Sequence, residues 1–153
     1  MTVDVHAWWE DHGMSLPEPY DLTSLVMRTD FGDEGAWDAV RAALDGAGEY
    51  PLATYVSERR FAGVEVQALV DEEAAAAEDD QIFYLFLADA VTMKDPDHAV
   101  LAVDLYEEPG RTFRVPARWF PDISANLSIS NMDFAEYADS ADGSGTFRGF
   151  SND

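Results

Sequence analysis

The amino-acid sequence predicts a single α/β domain built on a mixed five-stranded sheet in the order 2-1-3-4-5, with helices on both faces. Its 153 residues suit one domain with one hydrophobic core. Apolar strand-like runs alternate with helical patterns in the first half, which is typical of parallel βαβ units. Three extended segments joined by turns follow, which is typical of an antiparallel meander. Right-handed crossovers place the first three strands in the parallel order 2-1-3, and hairpins add strands 4 and 5.

Two βα units make up the first half of the predicted domain. An apolar run predicts strand 1 from Leu25 to about Asp30. GDEGAWDAVRAALDG, residues 32–46, repeats apolar residues at helical spacing and predicts a helix that a glycine at 46 or 48 ends. PLATYVS, residues 51–57, predicts strand 2, and the residues from Gly63 to about Ala77 favour a second helix. In the first helix, the side chains expected to face the core are Trp37, Val40 and Leu44.

The second half of the predicted domain begins with its most apolar segment, QIFYLFLADA. This segment is apolar on both faces from Ile82 to Leu87, which predicts a central strand covered on both sides. A loop over VTMKDPDH, residues 91–98, leads to strand 4 in AVLAVDLYE and strand 5 in GRTFRV. Two short helices are predicted next, the second capped by Asn131. Phe147 and Phe150 are expected to anchor the tail on the domain.

The charge of the chain restricts its partners. Nine Lys and Arg against 31 Asp and Glu leave a formal net charge of −22. Such a surface repels nucleic-acid phosphates and anionic lipid, and it speeds encounter with basic proteins at low salt. We therefore expect no nucleic-acid or membrane partner. The acidity either serves only to keep the protein soluble, which is the more common case, or attracts a basic protein partner. The pattern does not predict an oligomeric state.

Other classes of protein are excluded by what the sequence lacks. The absence of cysteine excludes disulfides, thiolate catalysis and cysteine-based zinc sites. The first residues have no signal-peptide pattern, and nowhere do 18 apolar residues follow one another. We expect a cytoplasmic protein.

The predicted domain spans residues 23–150, between an N-terminal extension of residues 1–22 and a short tail of residues 151–153. Pro17 and Pro19 favour an extended linker in the first segment. Trp8 and Trp9 lie in it, and they either cover the domain or contact a partner. These two tryptophans are the candidate partner contact.

Three carboxylates, Asp30, Asp33 and Glu34, lie where strand 1 gives way to the first helix. In one interpretation they cap the helix, because an aspartate can accept backbone N–H bonds there and Glu34 suits the positive end of the helix dipole. This interpretation needs no ligand.

In the other interpretation they belong to a ligand site. Strand order 2-1-3 puts the topological switch point between strands 1 and 3, where open α/β sheets bind ligands. Asp30 ends strand 1 and Asp89 ends strand 3, so both carboxylates are expected at one edge, near Thr92 and Lys94. Two carboxylates suit Mg²⁺, and Thr92 with Lys94 suits a phosphoryl group. The candidate ligand site is therefore Asp30, Asp33, Asp89, Thr92 and Lys94, with Asp30 and Asp89 as metal ligands.

Known catalytic patterns do not support this site. Strand 1 lacks the paired acids of a phosphoryl-accepting receiver, and the chain lacks the DxDx(T/V) signature of haloacid-type phosphatases and a glycine-rich phosphate loop. We favour capping, assign no catalytic residue and expect no cofactor, with Mg²⁺ as the alternative. Arg114, Arg118 and Arg148 either pair internally with Asp104 or Asp133 or form a positive spot on the surface, and we favour internal pairing.

Three segments, RTDFGDEGAW, VDLYEEPGRTFRV and NLSISNMDFAEYA, together resemble an actinobacterial family of acidic α/β domains that has no assigned function. The resemblance covers Leu25 to Phe150 and leaves out the N-terminal tryptophans. It implies the same α/β domain and transfers no catalytic residue.

The function predicted from these observations is a non-enzymatic acidic protein-binding domain, such as an inhibitor or immunity-type protein for a basic partner. The alternative is a small divalent-metal-dependent hydrolase or phosphoryl-binding domain that uses Asp30 and Asp89. A third hypothesis is a scaffold whose contact is the WWEDHGM segment, residues 8–14.

Overall fold

Five strands and five α-helices make up the described part of the chain in the computed structural model, residues 16–76 and 81–150. Two 3-10 turns, Arg59–Phe61 and Ala117–Trp119, lie between them. In chain order the elements are β1 (Ser24–Arg28), α1 (Glu34–Gly46), β2 (Ala53–Val56), α2 (Val66–Ala75), β3 (Tyr84–Ala88), α3 (Ala90–Lys94), β4 (Val100–Asp104), β5 (Thr112–Val115), α4 (Phe120–Ser128) and α5 (Phe134–Ala138).

The strands form one mixed sheet in the order β2-β1-β3-β4-β5, as predicted. β1 pairs in parallel with both β2 and β3, and β4 and β5 extend the sheet in antiparallel. β3 is the central strand, with Val26 of β1 opposite Phe86 on one side and Ala102 of β4 opposite it on the other. The predicted α/β fold is confirmed.

Helices cover both faces of the sheet because the central strands are apolar on both sides. Phe86 points to the face covered by α1, α4 and α5, and its ring packs edge-on against Phe120 at 5.1 Å between centroids. Leu85 and Leu87 point to the opposite face, which α2 covers through Leu69. Because side chains alternate along the strand, the sheet separates two hydrophobic core clusters, so the prediction of one core was wrong.

The first helix forms as its periodicity predicts. Trp37, Val40 and Leu44 are buried, and the helix ends at Gly46. Asp33 is its N-cap, with its carboxylate accepting the N–H of Ala36 at 3.0 Å. The capping interpretation of Asp33 is confirmed.

The second helix starts later than predicted, at Val66 instead of Gly63. Gly63 has a φ of +69°, a left-handed conformation that glycine adopts without strain and that does not continue a helix. Its N–H donates to the carbonyl of Thr29 at 2.8 Å, which ties this loop to the end of β1. The predicted helix end at Ala77 lies outside the described residues.

Two further local predictions were wrong. Residues 91–98 are not all loop, because Asp89 and Thr92 form a reciprocal capping box that starts the short helix α3. Asp133, not Asn131, is the N-cap of α5, and its N–H donates to Glu136 at 2.8 Å. Asn131 instead donates to the side-chain oxygen of Asn126 at 2.9 Å.

The carboxyl-terminal segment covers the outer edge of β5. The N–H of Arg114 donates to the carbonyl of Gly145, and the N–H of Phe147 donates to the carbonyl of Arg114, both at 2.8 Å. Phe147 is buried, and Phe150 contacts it at 5.1 Å between ring centroids. The predicted docking of Phe147 and Phe150 is confirmed. The hydrogen bonds to Arg114 also cover an otherwise open sheet edge.

Part of the predicted N-terminal extension packs on the domain. Leu16 is buried in the core on the α2 side, and the N–H of Tyr20 donates to the hydroxyl of Thr54 at 2.9 Å. Trp8 and Trp9 lie outside the described residues, as does the tail of residues 151–153. Among the helices that the structure describes, none has the length and apolarity needed to cross a membrane.

Candidate functional site

The predicted ligand site depends on β1 and β3 being parallel neighbours, and they are. Arg28 pairs with Ala88, and the N–H of Thr29 donates to the carbonyl of Ala88 at 3.0 Å. The segments that carry Asp30 and Asp89 therefore leave the sheet at the same edge. This edge is the topological switch point of the fold.

The first three carboxylates at this edge each have a local partner. Asp30 accepts the N–H of Gly32 at 2.8 Å, and Asp33 caps α1. Glu34 accepts a hydrogen bond from the guanidinium of Arg28 at 2.8 Å. All three acids therefore take part in folding the β1–α1 junction.

Asp89 is held by Arg114 through both of its oxygens. Nη1 of Arg114 donates to Oδ1 at 2.8 Å, and Nη2 donates to Oδ2 at 2.7 Å, a bidentate arrangement. Burial alone raises the pKa of the Asp89 carboxyl, but the hydrogen bonds from Arg114 and Thr92 outweigh it, so the pKa lies below its ordinary value. Asp89 is thus an ionised carboxylate already neutralised by the protein's own cation.

Thr92 and Lys94 lie in different environments, one buried and one exposed. Thr92 is fully buried, and its hydroxyl donates to the carbonyl of Ala99 at 2.8 Å. Lys94 is exposed at the last position of α3. Within residues 16–76 and 81–150, no group of three or more His, Asp or Glu side chains is placed to hold a metal ion. The metal site of Asp30 and Asp89 stays a prediction.

The sequence analysis missed Arg28, which is 1% exposed at the end of β1. Its guanidinium lies 4.4 Å from the centre of the Phe31 ring and 5.6 Å from that of Trp37. Nε donates to the carbonyl of Asp30 at 2.9 Å, while Nη2 is buried without a hydrogen-bond partner. An arginine directly after the apolar run of residues 25–27 was the available signal. The residue holds the β1–α1 junction through its bonds to Asp30 and Glu34.

Two concavities of the described structure lie at the opposite edge of the sheet. A cavity of about 220 Å³, here called the aromatic cleft, lies between the β3–β4 pair and the α4–α5 loop. Residues lining this cleft are Phe83, Tyr84, Asp104, Tyr106, Glu107, Leu127, Ser130, Met132, Asp133 and Phe134. A shallower groove of about 460 Å³ adjoins it and shares Phe83, Tyr84, Leu127 and Ser130.

Two aromatic side chains form one wall of the aromatic cleft. The rings of Phe83 and Tyr106 stack with centroids 4.3 Å apart, and the two residues are 50% and 57% exposed. Antiparallel pairing of β3 with β4 brings them together, since the N–H of Leu105 donates to the carbonyl of Phe83. The sequence analysis placed Phe83 in a strand covered on both sides, and its 50% exposure shows that this prediction was wrong at its first residues.

Asp104 shapes the turn that presents Tyr106. It is 3% exposed, and its oxygens accept the backbone N–H groups of Tyr106 at 2.9 Å, Glu107 at 3.3 Å and Glu108 at 3.0 Å. The predicted internal pairing of Arg114 is confirmed, but the predicted partners, Asp104 and Asp133, were wrong. Arg114 binds Asp89 instead.

A comparison with protein families agrees with the resemblance seen in the sequence. Residues 23–150 match the model described as "Domain of unknown function (DUF6924)". No curated protein matches the chain. The prediction of a family without an assigned function is confirmed, while its actinobacterial distribution stays a prediction. Because the match covers most of the sequence, the chain belongs to the DUF6924 family.

Proposed function

We propose that this domain binds a basic protein partner through its acidic surface, as an inhibitor or immunity-type protein, and catalyses no reaction. The observation that carries the proposal is the way the positive charges are used. Six of the eight arginines form ion pairs with the protein's own carboxylates: Arg28, Arg41, Arg60, Arg111, Arg114 and Arg148. Most of the few cations are paired with the protein's own carboxylates. The many carboxylates without a cationic partner therefore give the protein a negative surface, in line with its formal charge of −22.

A negative surface of this strength favours a basic partner through long-range attraction. Attraction between exposed charges decays over about 8 to 10 Å at physiological salt. It therefore raises the association rate more than it determines the final contact. The proposed partner binds quickly at low salt and loses affinity as salt rises.

A pulldown followed by affinity measurement tests this proposal. The full chain captures proteins from lysate at low salt, and an unrelated protein of similar negative charge is the control bait. We expect a basic protein enriched over the control, with a purified-complex Kd that weakens at least about tenfold between low and high salt. No enrichment over the control bait, or a Kd independent of salt, would contradict the proposal.

The second candidate is a divalent-metal-dependent hydrolase or phosphoryl-binding domain using Asp30 and Asp89. What supports it is the shared edge at the ends of β1 and β3. What weighs against it is the bidentate ion pair that holds Asp89 to Arg114. A metal would have to compete with this guanidinium for both oxygens.

Thermal unfolding with Mg²⁺, Mn²⁺ or Ca²⁺ distinguishes the two candidates. Any divalent ion stabilises so acidic a protein by screening. We therefore compare the wild type with Asp30→Asn and with Glu49→Asn, an exposed acid distant in sequence from this edge. If the domain only binds protein, the three respond equally. A metal response lost in Asp30→Asn alone would establish the metal site.

A further inference from the structure

We propose that the aromatic cleft receives a cationic side chain, an arginine or a lysine, of the basic partner. This inference rests on the proposed function and gives it a place on the molecule. The cleft lies at the sheet edge opposite the predicted ligand site, so the two can be tested independently.

The aromatic wall supplies the first argument. Phe83 and Tyr106 are stacked on each other but remain about half exposed, so their outer surfaces are open to a ligand. Face-on contact between an aromatic ring and a cation is favourable, and it strengthens as the contact is desolvated. The protein already uses this contact internally, with Arg118 lying 5.2 Å from the Trp119 ring centre.

The charge of the cleft supplies the second argument. Three of its lining residues are acids, Asp104, Glu107 and Asp133, and none of the lining residues is Lys or Arg. Asp104 is tied to backbone N–H groups and Asp133 caps α5, whereas Glu107 is exposed and free to turn toward a cation. An apolar wall with an acidic rim suits a side chain that is aliphatic along its length and positive at its end.

The size of the cleft supplies the third argument. At about 220 Å³ it is smaller than the roughly 300–1,000 Å³ of typical small-molecule sites. It therefore suits one side chain better than a cofactor. The adjoining groove of about 460 Å³ gives room for the neighbouring residues of a bound chain.

Backbone conformation points to the same region. Among the described residues only Leu22, His98 and Ser130 are non-glycine residues with positive φ. Leu22 and Ser130, with φ of 63° and 56°, both line the groove. Such conformations cost energy and cluster where function requires a particular surface shape.

Charge complementarity selects the partner over two other occupants. Residues 1–15 contain three carboxylates and no Lys or Arg, so they are repelled by an acidic rim. A second copy of the chain brings its own charge of −22 and is repelled in the same way. A basic segment of another protein is the occupant that the cleft favours.

Amide NMR spectra recorded during a peptide titration test the inference. The probe is a short peptide in which arginine alternates with glycine, and the control peptide carries glutamine in place of arginine. At low salt we expect the largest shift changes at residues 83, 104–107 and 127–134, with the arginine peptide only. Changes spread evenly over the acidic surface, or no change at all, would overturn the inference.

Matched variants separate this inference from the proposed function. Phe83→Ala and Tyr106→Ala should each weaken binding of the arginine peptide about three- to tenfold. Tyr50→Ala should not, because Tyr50 is a somewhat more exposed tyrosine outside the cleft. Circular dichroism checks that each variant is folded. If Phe83→Ala and Tyr106→Ala bind like Tyr50→Ala, the cleft is not the contact, and the salt-dependent partner of the pulldown stands unaffected.

A deletion tests whether the N-terminal segment itself occupies the aromatic cleft. Removing residues 2–15 should leave the affinity for the arginine peptide unchanged. A higher affinity after the deletion would identify that segment as the occupant of the cleft and overturn the inference.

Discussion

Replacing Phe86 with alanine should lower the free energy of unfolding by about 3 to 5 kcal/mol. Phe86 is fully buried on the central strand, where it packs edge-on against Phe120 and against Tyr84 at 6.0 Å between ring centroids. Truncation removes apolar surface from the core and leaves a cavity between β3 and α4 that the rigid sheet cannot close. Urea denaturation gives the change directly, provided that the m value stays constant.

Phe83→Ala is the matched control for this substitution. Phe83 immediately precedes β3 but is half exposed, so its loss should cost less than about 1 kcal/mol. The two phenylalanines are three positions apart. Substitution of Phe86 therefore tests the stability of the core, and substitution of Phe83 tests the contact in the cleft. Equal losses of stability in the two variants would contradict the side-chain directions assigned to this strand.

Breaking the Arg114–Asp89 pair should have the second-largest effect. Arg114→Met should cost about 2 to 3 kcal/mol because it leaves a half-buried carboxylate with only its capping bonds. The side chains are 19% and 26% exposed, so solvent screens the pair in part and the cost stays below that of a fully buried pair. The bidentate geometry still makes it stronger than a typical surface ion pair.

A double-mutant cycle isolates the interaction of these two groups. Arg114→Met, Asp89→Asn and the double variant should yield a coupling energy of about 1 to 2 kcal/mol. The control is the exposed pair of Arg41 and Asp38 on α1, for which the coupling should be below about 0.5 kcal/mol. Equal coupling in the two pairs would show that Asp89 is not held by Arg114 in solution.

The Arg114–Asp89 pair also makes the free energy of unfolding depend on pH. Hydrogen bonds from Arg114 and Thr92 outweigh the burial of Asp89 and hold the pKa of its carboxyl below the ordinary value. Because this pKa is lowered, ionised Asp89 contributes fully to the free energy of unfolding above the pKa of an unfolded aspartate, about 4. This contribution is lost as pH falls through the pKa of Asp89 in the folded protein. Unfolding free energies measured from neutral to acidic pH should therefore fall less steeply below about pH 4 in Asp89→Asn than in wild type.

Part of the acid dependence should persist in that variant. The pKa of Asp142 is also lowered, first by the hydroxyl of Ser144 and then by the N–H groups of Thr146 and Ser144. Asp142→Asn is the comparison, because it should flatten the same pH region without affecting the Arg114 pair. An acid profile of Asp89→Asn identical to that of wild type would contradict the assigned ion pair.

Local patterns in the sequence determined the order of the elements and the topology of the sheet. Trp37, Val40 and Leu44 recur at helical spacing, and the run before Ala88 is apolar on both faces, so each signal lies within a single element. Handedness of the crossovers then leaves few ways to arrange three parallel strands. Capping by Asp33 was also predictable, because an N-cap contacts only the next turn of its own helix.

Only the tertiary structure decided which charged groups meet and where the cavities lie. Arg114 and Asp89 are 25 residues apart, and β4 lies between the strands that carry them, so their contact depends on the paired sheet as a whole. Phe83 and Tyr106 form a cleft wall only because β3 and β4 are antiparallel and the α4–α5 loop closes the other side. Such contacts join elements that are distant in sequence, and nothing in the local periodicity encodes them.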